Sequence, residues 1–403
     1  MTQAEQHDAT QAPTETTATT ATTAGPIRAY KAFDQNMQCR GFQFEVGKTY
    51  EHDGPVKACE SGFHACGNPL DVWSYYPLDS RYAVVEMGGD FSRHDDDSKI
   101  SAARITISAE IALPQIIRDG VAYLMGLCKD AFALKPGVDA SGDGSKLAAS
   151  GYDSRLAASG YRSQLAASGY DSKLAASGND SQLAASGYRS QLAASGDGSK
   201  LAASGYCSQL AASGCCSQLA ASGDGSKLAA SGNDSKLAAS GCCSQLAASG
   251  DYSKLAASGN DSKLAASGYC SQLAASGYRS QLAASGDYSK LAASGNDSKL
   301  AASGYCSQLA ASGYRSQLAA SGDYSKLAAS GYCSQLAASG ENCVCVAASP
   351  GSTARAGAGG AIALTYHDGE RYRIAVAYVG EGGIEPNVNY RVTDAGEFVE
   401  AQG

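Results

Sequence analysis

Three residues in the first third of the chain have the types that hold zinc, Cys59, His64 and Cys66 in a Cys-x4-His-x-Cys run, and Cys39 upstream supplies a fourth. Thiolates and an imidazole would close a tetrahedral structural site. The spacing is not that of a standard finger or ribbon, and the competing reading is a set of buried thiols around a core histidine. Asp95, Asp96 and Asp97 beside His94 have the composition of a metal or acid–base cluster, and equally that of a solvated loop ahead of a strand. No nucleophile stands with a matching histidine and carboxylate, and neither a glycine-rich phosphate loop nor a paired-carboxylate motif occurs. An enzyme is therefore not expected, and zinc at Cys39, Cys59, His64 and Cys66 is the one cofactor the residues suggest.

The elements that would position these groups form a small α+β domain over residues 27–135. Hydrophobic patterning predicts strands at Ile27 to Phe33, Gly41 to Val46, Arg81 to Met87 and Lys99 to Ile111. Helices are expected at Pro69 to Tyr76 and Pro114 to Cys128, each opening on a proline at a permitted first-turn position.

From Ser141 to Gly340 the chain repeats Ser-Gly-x-x-Ser-(Lys/Gln/Arg)-Leu-Ala-Ala twenty-two times without insertion or deletion. So short a period means that each unit meets only its neighbours, which suits stacked strands and predicts a parallel β-solenoid over residues 136–345. Within Ser145 to Ala149, period-two alternation sends Ser145, Leu147 and Ala149 inward and Lys146 and Ala148 outward. The following Ser-Gly and the two variable residues make the corner, where glycine is expected to supply a positive φ.

The substitutions set the number of units per winding. With two nonapeptides per coil, Lys254, Gln272, Lys290, Gln308 and Lys326 stack in one column, and Asp261, Arg279, Asp297 and Arg315 stack in alternating sign in another. Three units per coil would place Lys263 over Lys290 and Lys299 over Lys326. The expectation is 18 residues per coil, with two walls and a rod of roughly 50 Å. Eleven of the twelve Asp-bearing units carry Lys or Arg after the second serine, which avoids self-repulsion or offers a charge code to a partner. Thirteen corner tyrosines, Tyr269, Tyr278, Tyr305 and Tyr314 among them, could ladder along the rod edges as reinforcement or as a carbohydrate or self-association stripe. The repeat cysteines are too far apart in this register for disulfides and are read as small corner fillers.

The chain has 403 residues with 47 Gly but only 7 Phe, 1 Trp and 4 Met, so ladders and small side chains must hold much of it together. The net charge of −8 belongs to the flanks, because the repeats carry 15 Lys and Arg against 12 Asp, spaced singly. A nucleic-acid partner is not expected. Nothing reaches the ~20 apolar residues of a membrane span. Residues 1–26, rich in Thr and Ala, read as a disordered tail without signal-peptide character, and with 14 Cys the cytoplasm is expected, a virion or released form being the alternative. Residues 346–403 read as a β cap closing the solenoid, with a hairpin turning at Asp368-Gly369.

The Gly-Tyr-x-Ser-x-Leu cadence resembles the repeats of bacterial ice nucleation proteins, a likeness that implies a two-sided solenoid with a stacked tyrosine edge. Those repeats carry a Thr-x-Thr strand, whereas the outward positions here are Lys or Gln and Ala. Calcium-binding nonapeptide rolls share the period but need Gly-Gly-x-Gly-x-Asp in each unit. The segments Cys39 to Gly47 and Gly62 to Val72 resemble an uncharacterised domain of phage and gut-bacterial proteins that precedes short tandem repeats. The functions weighed are accordingly a structural or interaction rod with an N-terminal recognition domain, an ice-binding protein, an enzyme or metal-binding domain on a solenoid spacer, and a trimeric fibre.

Overall fold

The computed structural model describes residues 26–57, 60–76, 80–93, 98–113, 115–120, 122–123 and 138–401. Cys59, the His94 to Asp97 run, all of the tail but Pro26, and most of residues 121–137 lie outside them. The chain is mainly β: an antiparallel N-terminal sheet, a two-sided parallel solenoid of 18-residue period over 146–364, and an antiparallel C-terminal cap.

In the N-terminal domain the strands are β1 (Ile27–Phe33), β2 (Gln38–Cys39), β3 (Phe42–Gln43), β4 (Thr49–Glu51), β5 (Phe63–Cys66), β6 (Arg81–Arg93) and β7 (Lys99–Ile111). The long β7 pairs with β5 and β4 on one side and with β6 on the other, so the order β7-β5-β1-β6-β7 closes on itself. Alternation along β1 sends Ala29, Lys31 and Phe33 to the closed interior and Tyr30 and Ala32 to its outer face. The expected strand over Gly41 to Val46 shrinks to Phe42–Gln43, and the helix at Pro69 is a 3-10 turn, Pro69–Ser74, capped by the Asn68 side chain. Helix is formed at 113, 115–120 and 122–123.

The solenoid begins with β8 (Val138–Ala140) and then lays down one four-residue strand every nine residues, from β9 (Lys146–Ala149) to β31 (Val344–Ala347). Each strand pairs in parallel with the strand 18 residues away, Leu on Leu and Ala on Ala. Odd-numbered strands form one wall and even-numbered strands the other. Unit 249–257 shows why this sequence winds this way. Leu255 and Ala257 are inward, Ala256 is outward, and Ser253 is fully buried with its Oγ donating to Gly250 O at 2.8 Å, which ties the corner. Asp251 Oδ1 accepts from the backbone N–H of Tyr269 one coil on, at 2.8 Å. Asp and Asn recur at this first variable position because a carboxylate or amide oxygen there satisfies a corner N–H that would otherwise be orphaned.

The corner corrects one expectation. The positive φ falls on the second variable residue, Tyr252 at 57° in this unit, and Asp, Arg, Cys, Tyr and Asn all adopt it elsewhere. The repeat glycine is required for a different reason: a Cβ on Gly250 would run into the carbonyl of Gly232 in the coil below. Stacked corners approach so closely that only a hydrogen fits.

Past the last perfect unit, β32 (Thr353–Arg355) and β33 (Ala361–His367) continue the parallel ladders. Then β33 turns through Asp368-Gly369 into β34 (Tyr372–Tyr378), and β35 (Tyr390–Val392) pairs with β36 (Phe398–Glu400) to finish the other wall.

Candidate functional site: a docking seam and an open face

The two walls share one strand motif but have different fates. On the even wall the outward alanines Ala211, Ala229, Ala247 and Ala265 are 0% exposed, because the outer face of the N-terminal sheet lies on them. The sequence supplies the fit: outward alanines leave a flat ridge one methyl high, and Leu70, Val72 and Trp73 of the 3-10 turn with Ile116 and Ile117 pack against that row. On the odd wall the equivalent rows stay exposed along the whole rod, from β11 (Gln164–Ala167) to β31.

Polar contacts set the register of this seam. The Lys227 ammonium pairs with the Asp71 carboxylate, Gln245 Nε2 lies 3.3 Å from Ser74 Oγ, and Lys263 Nζ donates to the carbonyls of Trp73 and Tyr76. Burial pushes the Lys227 ammonium down, to about 8. Trp73 Nε1 and Gln245 Oε1 are buried without a partner among the described residues. Unmet polar groups cost stability, so apolar packing on the alanines must supply most of the attraction.

The sequence-derived candidates divide between this domain and the rod corners. Cys39 is half-buried, its Sγ 3.5 Å from Lys31 Nζ and 3.2 Å from Tyr76 OH. Lys31 is itself buried, donating also to His64 O at 3.0 Å and to Tyr76 OH at 3.1 Å, and desolvation lowers its pKa. The pattern gave no sign of this lysine, since one cation inside an alternating strand normally marks the solvent side. Cys66 is buried in the seam cluster. Among the described residues no group of three or more His, Cys, Asp and Glu could hold a metal, and Cys59 lies outside them.

His64 is partly buried, with Nε2 enclosed and without a hydrogen-bond partner among the described residues. Burial, with the positive charges of Lys99 and Lys31, brings its pKa from 6.5 down to about 4. The unfolded chain takes up this proton below about pH 6.5 and the folded chain only near 4. The contribution of a neutral His64 is thus complete above pH 6.5 and is lost as the pH falls toward 4. Urea titrations of the wild type and His64→Gln should show the wild-type midpoint falling more steeply over that window. Parallel curves would mean that His64 is not held neutral.

At the corners, Tyr269 and Tyr305 lie on one edge in a zigzag with Tyr252, Tyr288 and Tyr324, edge to face at 5.4–5.8 Å. Tyr278 and Tyr314 lie on the opposite edge, where Arg279 covers the Tyr278 ring at 5.0 Å. That second edge also carries a parallel stack from Tyr152 to Tyr206, beginning at 5.1 Å and 6°. In the alternating column Arg315 comes to 3.9 Å of Asp297, while Asp261 and Arg279 take the left-handed corner position. The corner cysteines are free thiols, as are Cys343 and Cys345 in the core.

Residues 27–119 match a domain of unknown function, DUF7666. A 44-residue stretch, 11% of this chain, is 54% identical to the uncharacterized protein YdhT of Escherichia coli strain K12. The match spans only 16% of that relative's length. No solved structure matches the chain. Among the described residues no helix is long and apolar enough to cross a membrane.

Proposed function

We propose that this chain is a structural or interaction protein, a rigid rod that uses one wall to seat its N-terminal recognition domain and the other to display a regular surface to a partner. One observation carries the reading: two walls built on the same strand motif, one seating the chain's own domain over part of its length and one left bare among the described residues. The bare wall presents Lys and Gln in one outward row, Ala in the other, and no outward carboxylate on its repeat strands. A flat partner with apolar side chains next to acidic groups would suit it, since Leu70, Trp73 and Asp71 suit the occupied wall. This row composition, without a threonine ladder, favours display over ice templating.

The test compares immobilised full-length protein with Lys254→Glu/Lys290→Glu in extracts of the native host. Both lysines are exposed on the open wall, so the substitution should not disturb the fold. A protein retained by the first and lost from the second supports the reading. Equal retention, or none, overturns the open wall as the display surface.

A further inference from the structure

The open wall ends at its C-terminal side in a strand that, among the described residues, is neither covered nor guarded. β34 is the edge of the 14-stranded sheet, paired with β33 through seven residues in unbroken register. Its outward row, Tyr372, Ile374, Val376 and Tyr378, is 60%, 66%, 54% and 55% exposed, and Val344 and Val346 extend it on β31 at 38%. Soluble chains seldom leave so continuous an apolar row on a sheet edge; edges are usually blunted by proline, lysine, a bulge or shortness. Tyr372 to Tyr378 has none of these, and its one charge, Arg373, is paired with Asp368 in the adjoining turn. The edge of the other wall, β36, is three residues long and ends in Glu400.

The hydrogen-bonding phase of β34 can be read from its neighbour. Val379 N donates to Gly360 O at 2.9 Å, and antiparallel pairing alternates, so Ala377, Ala375 and Arg373 also bond toward β33. The backbone groups of Tyr372, Ile374, Val376 and Tyr378 therefore point to the free edge, where Tyr378 O already accepts from Glu381 N. These same residues carry the exposed row, so one partner strand would satisfy both the backbone and the side chains.

We propose that β34 pairs with β34 of a second copy, antiparallel about a two-fold axis at Ala375, joining two rods end to end. In that register Ile374 faces Val376 of the partner and Tyr372 faces its Tyr378, as bonded pairs with apolar cross-strand contacts. Arg373 falls opposite Ala377, so the strand's single charge never meets itself. Such an interface is self-complementary and closed, which ends assembly at two copies. It rests on the sheet edge alone and is independent of what the open wall displays.

The experiment is sedimentation equilibrium of the full-length protein, cysteines kept reduced, over a wide concentration range. A reversible dimer is expected, with amide hydrogens of Ile374 and Val376 slowing in exchange as the dimer forms. Val376→Pro, which deletes an edge N–H but no bond to β33, and Ile374→Lys should both give monomers with wild-type thermal unfolding. A monomer at every concentration overturns the proposal. So does a dimer that survives Val376→Pro, or one that forms without slowing those amides, because either would mean that the copies pack through their faces.

Discussion

Replacing Gly250 by alanine is expected to destabilise the solenoid by about 3 kcal/mol, the upper range for forcing atoms into a filled space. Gly225→Asn should change it by less than about 0.5 kcal/mol. The contrast separates two uses of glycine. Gly250 has an ordinary φ, but its Cβ would meet the backbone of Gly232, which belongs to the next corner and cannot retreat without breaking a ladder. Gly225 sits at a φ of 67°, where Asp234 and Asp261 sit at 55° and 54° in other units, so asparagine fits there. Chemical denaturation followed by circular dichroism would measure both. If Gly250→Ala were as harmless as Gly225→Asn, the tight stacking of corners would be wrong.

The second large effect comes from a pair of alanines that the sequence does not distinguish. Ala247 is fully buried beneath the N-terminal domain, and Ala256 in the next unit faces solvent on the opposite wall. Ala247→Glu and Ala247→Lys are each expected to cost roughly 3–5 kcal/mol of docking free energy, the range for an uncompensated charge in a dry interface. The same substitutions at Ala256 should cost almost nothing. Trp73, the chain's one tryptophan, is 1% exposed at the seam and reports the result directly. Its emission should shift to the red in the Ala247 variants alone. A red shift in both pairs, or in neither, would place the domain elsewhere.

These two cases show what the sequence could express. Stacking register was legible from Lys254 onward, where Lys263 over Lys290 would repel and Lys263 over Gln281 does not, and the ladders pair Lys263 with Gln281; earlier coils do stack Lys236 on Lys254 and Arg155 on Lys173. The inward Ser, Leu and Ala were legible because strand alternation admits only two assignments, and leucine decides between them. The reason for the glycine was not, since a left-handed corner and a crowded one both select the same residue. The seam was hidden more thoroughly. An alanine that meets water and one that meets Trp73 look alike in a repeat, and Leu70, Trp73, Ile116 and Ile117 have the composition of a private core. Lys31 is not legible as a buried cation because its partners, a thiol, a phenol and a carbonyl, come from three separate segments. The strand Phe63–Cys66 is not legible from pattern, because a histidine and a cysteine in four residues have the types of metal ligands as much as of a strand.

Successive nonapeptides differ by half a turn around the rod axis, so the number of units fixes the angle between its ends. Adding or losing two units below the seam would lengthen or shorten the rod and leave the β34 hairpin on the side away from the N-terminal domain. Adding or losing one would keep every ladder intact yet swing the hairpin round to the domain's side. Near-identical repeats invite slippage when they are copied, and here even steps change the rod's length but keep its facing, while odd steps invert it.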